Sequence, residues 1–208
     1  MRFIICILIF KACNLFSDVV MAESGSKALP TRVIWISGGL PGNYLIEGNW
    51  VWSNEVTRGG IGTHEEGITK GIESHLFRTD SIVRLSQDSK IIQYVNLDPE
   101  NMPSGIMLKF FLNSDKEINI YWEGEDESFV ALDEYITAWY MGFIPNPGRW
   151  IGLEINCAEL DIEDDELAGM EFVVNNGRAW WGETIIINQY SSCLPEDQKP
   201  YEFNKETR

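Results

Sequence analysis

The chain contains only two histidines, His64 and His75, and they are separated by ten residues that include Gly67 and Gly71. Glycines favour turns, so the two imidazoles can face each other across a hairpin. A facing pair of imidazoles can bind a metal or act as acid and base. The alternative is a structural pair in which each ring is bonded to a neighbour, and the sequence leaves both open.

Aromatic residues are abundant, with eight Trp and seven Tyr. A pyranose ring has an apolar C–H face that stacks on an aromatic ring, while its hydroxyls need polar partners. Alternation along the predicted strands places Trp150, Trp180 and Tyr121 on outward faces, and of the neighbours Trp139 and Tyr140 only one points outward. These five are the candidate ligand-binding residues. We expect the five remaining tryptophans to lie in the core: Trp35, Trp50, Trp52, Trp122 and Trp181.

A calcium site is a further candidate, because the predicted loops carry many acidic oxygens. Ca²⁺ binds carboxylate and amide oxygens from loops, and Asp98, Glu100 and Asn101 are clustered next to Pro99. The metal would be structural. The alternative for Asp98 is that its side chain caps a turn.

No sequence motif for catalysis is present, so no catalytic residue is assigned. The chain has no Gly-x-Ser-x-Gly, no His-Glu-x-x-His and no glycine-rich phosphate loop. A polysaccharide-cleaving enzyme that uses His75 or a pair of carboxylates would need a deep groove, and sequence spacing cannot identify such a pair. A noncatalytic protein is therefore the leading expectation.

The charge of the chain excludes whole classes of partner. Sixteen Lys and Arg against 32 Asp and Glu give a formal net charge of −16. Nucleic-acid binding requires a basic stripe, whereas the charged runs here, residues 123–127 and 161–166, are acidic. Neither nucleic acid nor an anionic membrane surface is an expected partner.

The first residues have the pattern of a secretory signal peptide. Arg2 precedes the apolar run Phe3 to Phe10, and small residues around Ala22 suit cleavage. The apolar run is too short to span a membrane. We expect a signal peptide over residues 1–22, a lead-in over 23–32, one domain over 33–188 and a polar tail over 189–208. The expected location is secreted, periplasmic or at the cell surface of a bacterium.

Cleavage would remove Cys6 and Cys13 and leave Cys157 and Cys193. In an oxidising compartment these two can form a disulfide. The alternative is a buried free thiol at Cys157 and an unpaired one at Cys193.

Short runs rich in Ile, Val, Phe, Tyr and Trp are separated by Gly, Pro, Asn and Asp, which is typical of β-strands. Strict alternation places Ile118, Ile120 and Trp122 on one face of their strand. Residues 106–112 are apolar on both faces except at Lys109, as in a central strand. About ten strands predict an all-β, two-sheet β-sandwich with jelly-roll-like connectivity, and only a helical turn near 158–163.

A series of short motifs runs in order through most of the chain. They are Trp35 with Leu40-Pro41, Gly48 to Trp52, Thr63-His64, Ser74 to Phe77, Tyr94 to Pro103, Ile106 to Leu108, Tyr121-Trp122, Met141-Gly142, Pro145, Gly148 to Glu154, Leu167 to Phe172 and Gly177 to Trp181. This order resembles a module of bacterial surface and secreted proteins, particularly planctomycete cytochrome-containing proteins and YD-repeat proteins. The resemblance implies a lectin-like or carbohydrate-binding-like β-sandwich, and it provides no activity that can be transferred to this chain.

The chain departs from that pattern at residues 118–120 and at Gly182, where the resemblance implies polar, basic or acidic residues. A site held by those positions elsewhere would be altered here. The expected function is noncatalytic binding of a glycan or cell-surface polysaccharide through surface aromatics. The alternative is a structural or adhesive surface module that binds protein.

Overall fold

The computed structural model describes residues 31–125, 129 and 138–188. They form twelve strands and one short 3-10 helix. The strands are β1 (Thr31–Ile36), β2 (Tyr44–Gly48), β3 (Val51–Arg58), β4 (Ile61–Glu65), β5 (Thr69–Arg84), β6 (Lys90–Leu97), β7 (Gly105–Leu112), β8 (Glu117–Glu123), β9 (Ala138–Phe143), β10 (Trp150–Asn156), β11 (Glu166–Gly177) and β12 (Ala179–Asn188), and the helix is Cys157–Leu160.

These strands form two six-stranded sheets. Sheet A has the order β10-β6-β12-β4-β3, and β1 also pairs with β12. Sheet B has the order β2-β5-β11-β7-β8-β9. Every pair is antiparallel except β8 with β9, which is parallel. The predicted all-β, jelly-roll-like sandwich is confirmed, with twelve strands where the sequence predicted about ten.

The two sheets enclose one main core, built as the alternation predicted. Ile118, Ile120 and Trp122 are buried on the inner face of β8. Strand β7 lies between β11 and β8, which confirms the central strand, and it is buried on both faces. The helical turn expected near 158–163 is the 3-10 helix, which ends at Leu160 and is followed by Asp161 in a left-handed backbone conformation.

One tryptophan expected in the core lies at the surface instead. Trp35, Trp122 and Trp181 are buried, and Trp50 is partly buried against the core. Trp52 is 42 % exposed, because it lies on β3, an edge strand of sheet A, and no strand of the described residues pairs with the outer side of β3.

Several sequence-based predictions concern the ends of the chain. The signal peptide (1–22), most of the lead-in (23–32), the tail (189–208) and Cys193 lie outside the described residues. Within 31–125, 129 and 138–188, no helix has the length and apolar character needed to cross a membrane.

Candidate functional site

Three of the predicted ligand-binding residues lie at the β8–β9 edge of sheet B. Tyr121 and Tyr140 are register partners on the two parallel strands, and their ring centroids are 5.5 Å apart. Trp139 precedes Tyr140 and is the register partner of Ile120. We call Tyr121, Trp139 and Tyr140 the aromatic edge.

The aromatic edge is exposed because β9 is the last strand of its sheet. Tyr140 is 52 % exposed and Trp139 is 45 % exposed, whereas Tyr121 is partly buried. Alternation directs Tyr140 to the outer face together with Tyr121, and Trp139 to the same side as the buried Ile120. Trp139 nevertheless remains accessible because β9 is at the edge of the sheet. Both Trp139 and Tyr140 are therefore exposed, although the sequence predicted only one of them to point outward.

A polar row crosses the outer face of sheet B beside the aromatic edge. Glu171, Lys109 and Asn119 are register partners on the neighbouring strands β11, β7 and β8. The Nζ atom of Lys109 lies 3.1 Å from Oε2 of Glu171. The buried Oδ1 atom of Asn119 has no hydrogen-bond partner among the described residues. An unpaired acceptor is costly unless a ligand or water donates to it.

Aromatic rings and polar groups of this kind fit a hydroxylated ligand. Tyr121 and Tyr140 offer apolar ring surface, and the lysine, carboxylate and amide offer donors and acceptors. The sequence analysis did not select Lys109, Asn119 or Glu171. Alternation placed Asn119 opposite the buried Ile118 and Ile120, which was the available signal, but only the sheet order brings the three side chains together.

The two other predicted ligand residues lie on the outer face of sheet A, away from the aromatic edge. Trp180 is only 8 % exposed, and the guanidinium of Arg178 lies 4.7 Å from its ring centre. Trp150 is partly buried, its ring packs over Gly182, and its Nε1 donates to the Thr57 carbonyl at 3.1 Å. Trp150, Trp180 and Tyr121 therefore form no common exposed platform.

The guanidinium that covers Trp180 is fixed by an ion pair. Arg178 donates from Nη2 to Oε1 of Glu65 at 2.7 Å and also contacts Oε2 of the same carboxylate. Hydrogen bonding to Glu65 raises the pKa of the guanidinium above its usual value. The arginine therefore remains charged over the indole, and the face that alternation directs outward is closed to a sugar.

Asp98 caps a turn, which was the alternative to a calcium-binding role in the sequence analysis. Its Oδ1 accepts from the backbone N–H of Glu100 at 2.9 Å, and its Oδ2 accepts from Nδ2 of Asn101 at 3.0 Å. Burial alone would raise the pKa of Asp98, but these hydrogen bonds and the nearby Arg178 lower it below its usual value. No group of three or more His, Cys, Asp or Glu with metal-binding geometry occurs in the described part of the chain. A calcium ion at Asp98, Glu100 and Asn101 stays a prediction.

The two histidines are fully buried between the sheets. His64 lies on β4 of sheet A and His75 on β5 of sheet B, so they face each other across the sandwich and not across a hairpin within one sheet. Nδ1 of His64 is 2.6 Å from Nε2 of His75. Nδ1 of His75 is 2.7 Å from Oε1 of the buried Glu66, in a close contact that is not an aligned hydrogen bond.

This arrangement favours the structural alternative for the pair. Two nitrogens on one tetrahedral zinc ion would be about 3.3 Å apart, because each bond is about 2.0 Å long. The rings are closer than that and use the facing nitrogens on each other. Burial, and then the neighbouring His75, hold the pKa of His64 well below its usual value, so the His64 ring is neutral.

Cys157, the first member of the predicted disulfide, is buried at the start of the 3-10 helix. Burial raises the pKa of its thiol to about 12, and the Glu163 carboxylate adds to the effect. The Cys157–Cys193 disulfide stays a prediction, since Cys193 is outside the described residues.

Comparison with protein-family models and with curated proteins finds no match. Among solved structures, the glycoside hydrolase domain of Endo-D from Streptococcus pneumoniae R6 is similar over 71 % of this chain and 22 % of its own, at 9 % identity and a TM-score of 0.41. A structure of carbohydrate-binding modules from the β-sandwich superfamily matches over 73 % of this chain and 57 % of its own, at 10 % identity and a TM-score of 0.41. TmCBM61 in complex with β-1,4-galactotriose matches over 70 % of this chain and 84 % of its own, at 12 % identity and a TM-score of 0.32.

The chain thus spans about a fifth of the first of these proteins and somewhat more than half of the second. Carbohydrate-binding modules are among the neighbours, together with glycoside hydrolases. At these identities and TM-scores the likeness carries no argument about function.

Proposed function

We propose that this protein binds a glycan, without catalysis, at the outer face of sheet B where that face meets the aromatic edge. The observation that carries the proposal is the pair of neighbouring tyrosine rings, Tyr121 and Tyr140, beside a polar row in which the buried Oδ1 of Asn119 has no partner among the described residues. One sheet face therefore combines stacking surface with hydrogen-bonding groups.

The chemistry of a sugar matches both parts of this surface. The C–H face of a pyranose can stack on Tyr140, whose ring is half exposed at the end of the sheet. Hydroxyl groups of the same or the next sugar can donate to Asn119 and Glu171 and accept from Lys109. Among the described residues no group donates to Oδ1 of Asn119, so a hydroxyl that reaches this buried atom gains a hydrogen bond.

The proposal of binding without catalysis is supported by where the ionisable groups lie. His64, His75 and Glu66 are enclosed in the protein interior, out of contact with the outer face of sheet B. Lys109 and Glu171 at the face are paired with each other. We include export as part of the proposal, on the basis of the sequence of residues 1–22.

A protein-binding role is the second candidate, and it has its own supporting observation. Strand β2 is the other edge of sheet B and is exposed along its whole length. Leu45 is 76 % exposed there, next to Tyr44 and Ile46, which are also exposed. An exposed apolar edge strand can pair with an extended segment of a partner protein.

A glycan array followed by tryptophan fluorescence titration tests the leading proposal. We expect saturable binding of at least one glycan, at micromolar to millimolar affinity. A titration repeated with EDTA tests whether calcium takes part. A folded protein that binds nothing on the array would contradict glycan binding and favour the protein-binding role.

A further inference from the structure

The buried chain Glu66–His75–His64 connects the two sheets at their centre. His64 belongs to sheet A and His75 to sheet B, so the 2.6 Å contact between their nitrogens is a direct polar link across the core. Both rings and the Glu66 side chain are almost completely removed from solvent. The proposed glycan site does not use any of these three groups.

The contact between the two rings can hold only one hydrogen. At 2.6 Å, one nitrogen must donate and the other must accept. If both imidazoles were protonated, both facing nitrogens would carry a hydrogen, and the two cations would repel each other in a medium of low dielectric constant. The two imidazoles therefore cannot both be protonated without separation of the rings.

Among the described residues, Glu66 is the one charged group that contacts the rings and could offset repulsion between two protonated imidazoles. Trp50 from the connection before β3, Trp52 from β3 and Phe172 from β11 surround His64 with aromatic rings, with centroids 4.8, 5.3 and 4.6 Å away. Trp181 on β12 is its register partner on the other side. Glu66 is the only charged group in contact with either ring among the described residues, and it contacts His75. The neighbouring Glu65 is paired with Arg178.

Separation of the rings would have a defined consequence for the fold. Trp50 packs on both rings, at 4.8 Å from His64 and 4.3 Å from His75, and its Nε1 donates to the Leu76 carbonyl of β5 at 2.9 Å. It thereby fixes the start of β3, an edge strand of sheet A, to sheet B. Movement of the histidines would loosen this indole and the exposed Trp52 stacked on it, whose centroid is 5.8 Å away.

We infer that the Glu66–His75–His64 chain is an acid-sensitive clasp between the two sheets, closed at neutral pH and opened when both imidazoles are protonated. Opening separates β4 from β5 and exposes Trp50. The protein would thus change its structure reversibly in a mildly acidic environment.

The sign of the effect follows from proton linkage. His64 has a pKa well below 6.5 in the folded protein because of burial and His75, and its pKa returns to about 6.5 when the ring is exposed. The open form therefore binds more protons than the closed form at pH values below about 6.5. Acidification favours the open form, and the closed form is fully favoured above that pH.

Hydrogen exchange at pH 7.5 and pH 5.0, corrected for intrinsic exchange rates, tests the inference in the full-length wild type and in His64→Phe. The range ends at pH 5.0 because most carboxylates titrate below it. In the wild type we expect at least a tenfold loss of protection for amides of β4 and β5, with a red shift of tryptophan fluorescence. His64→Phe keeps an aromatic ring at the site and should lose this dependence. Equal pH dependence in both proteins, or none in the wild type, would overturn the inference.

An NMR titration of the two histidine rings in the wild type keeps the test decisive if His64→Phe does not fold. The assignment is simple because the chain has only two histidines. We expect His64 to stay neutral in the closed protein and to become protonated together with the loss of contacts between β4 and β5. Protonation of His64 at an ordinary pKa while those contacts persist would overturn the clasp. Neither test depends on glycan binding, so its outcome is separate from that of the proposed function.

Discussion

Tyr121 and Tyr140 are register partners on the only parallel strand pair among the described residues, and their ring centroids are 5.5 Å apart. Side chains opposite each other on neighbouring strands point to the same face of the sheet. The two rings therefore form one aromatic surface, although 18 residues separate them in the chain.

Replacement of Tyr140 by Ala should weaken glycan binding about tenfold, because a stacking contact of roughly 1.4 kcal/mol would be lost. Isothermal titration calorimetry with the best glycan from the array measures the change. Tyr44→Ala is the matched control, since Tyr44 is also about half exposed but lies on β2 at the opposite edge of the sheet. An equal loss in both variants would refute the assignment to the aromatic edge.

Trp181→Ala should destabilise the protein by about 3–5 kcal/mol, because its fully buried indole would leave a cavity in the core. Trp52→Ala should cost less than about 1 kcal/mol, since much of that ring already contacts water. Urea unfolding monitored by circular dichroism gives both values. Similar losses for the two variants would show that Trp52 is buried in solution.

Gly177→Ala should be strongly destabilising for two reasons. Gly177 has φ +76°, and an added Cβ would lie 2.4 Å from the Asn101 carbonyl oxygen and 2.6 Å from the Pro103 nitrogen. Gly71 has a similar φ of +85° with open space around a Cβ. Gly71→Ala should therefore cost about 1–2 kcal/mol from backbone strain alone, and Gly177→Ala at least about 2 kcal/mol more.

Urea unfolding of the two glycine variants under identical conditions isolates the steric contribution, because the conformational cost is common to both. Equal free energies of unfolding would mean that the loop at Asn101 moves away without cost.

Asp98→Asn should lower stability at pH 7 by about 1–2 kcal/mol, because an amide cannot accept from both Glu100 and Asn101 as the carboxylate does. The pKa of Asp98 is lowered in the folded protein, so its contribution is complete above the unfolded value of 3.8 and is lost as the pH falls through the folded value. The stabilities of the variant and the wild type should therefore converge in acid. A difference between them that is independent of pH would argue against the carboxylate cap.

Much of the fold could be predicted from local pattern. Alternation is a property of each strand by itself, so the inner face of β8 was predicted without knowledge of its neighbours. Exposure depends on neighbours that are distant in sequence. Trp180 points outward as predicted but is covered by Arg178, while Trp52 is uncovered because its strand is an edge.

The same limit applies to the sites. The short separation of His64 and His75 suggested a contact within one hairpin, yet the chain crosses from one sheet to the other between them. The polar row of Lys109, Asn119 and Glu171 exists only because β7 lies between β8 and β11. Pairing of strands over long separations was not contained in any local pattern.

The pairing of β1 with β12 also determines how the sandwich responds to force. Thr31, the first residue of β1, is the register partner of Asn188, the last residue of β12, so the two ends of the described sandwich lie side by side. A force applied at these two residues would act perpendicular to the strands. It would break the hydrogen bonds between β1 and β12 one after another, with little mechanical resistance. The same proximity makes the sandwich suitable for circular permutation, since a short linker can join Asn188 to Thr31 and new ends can be opened in a surface loop such as the one around Gly59.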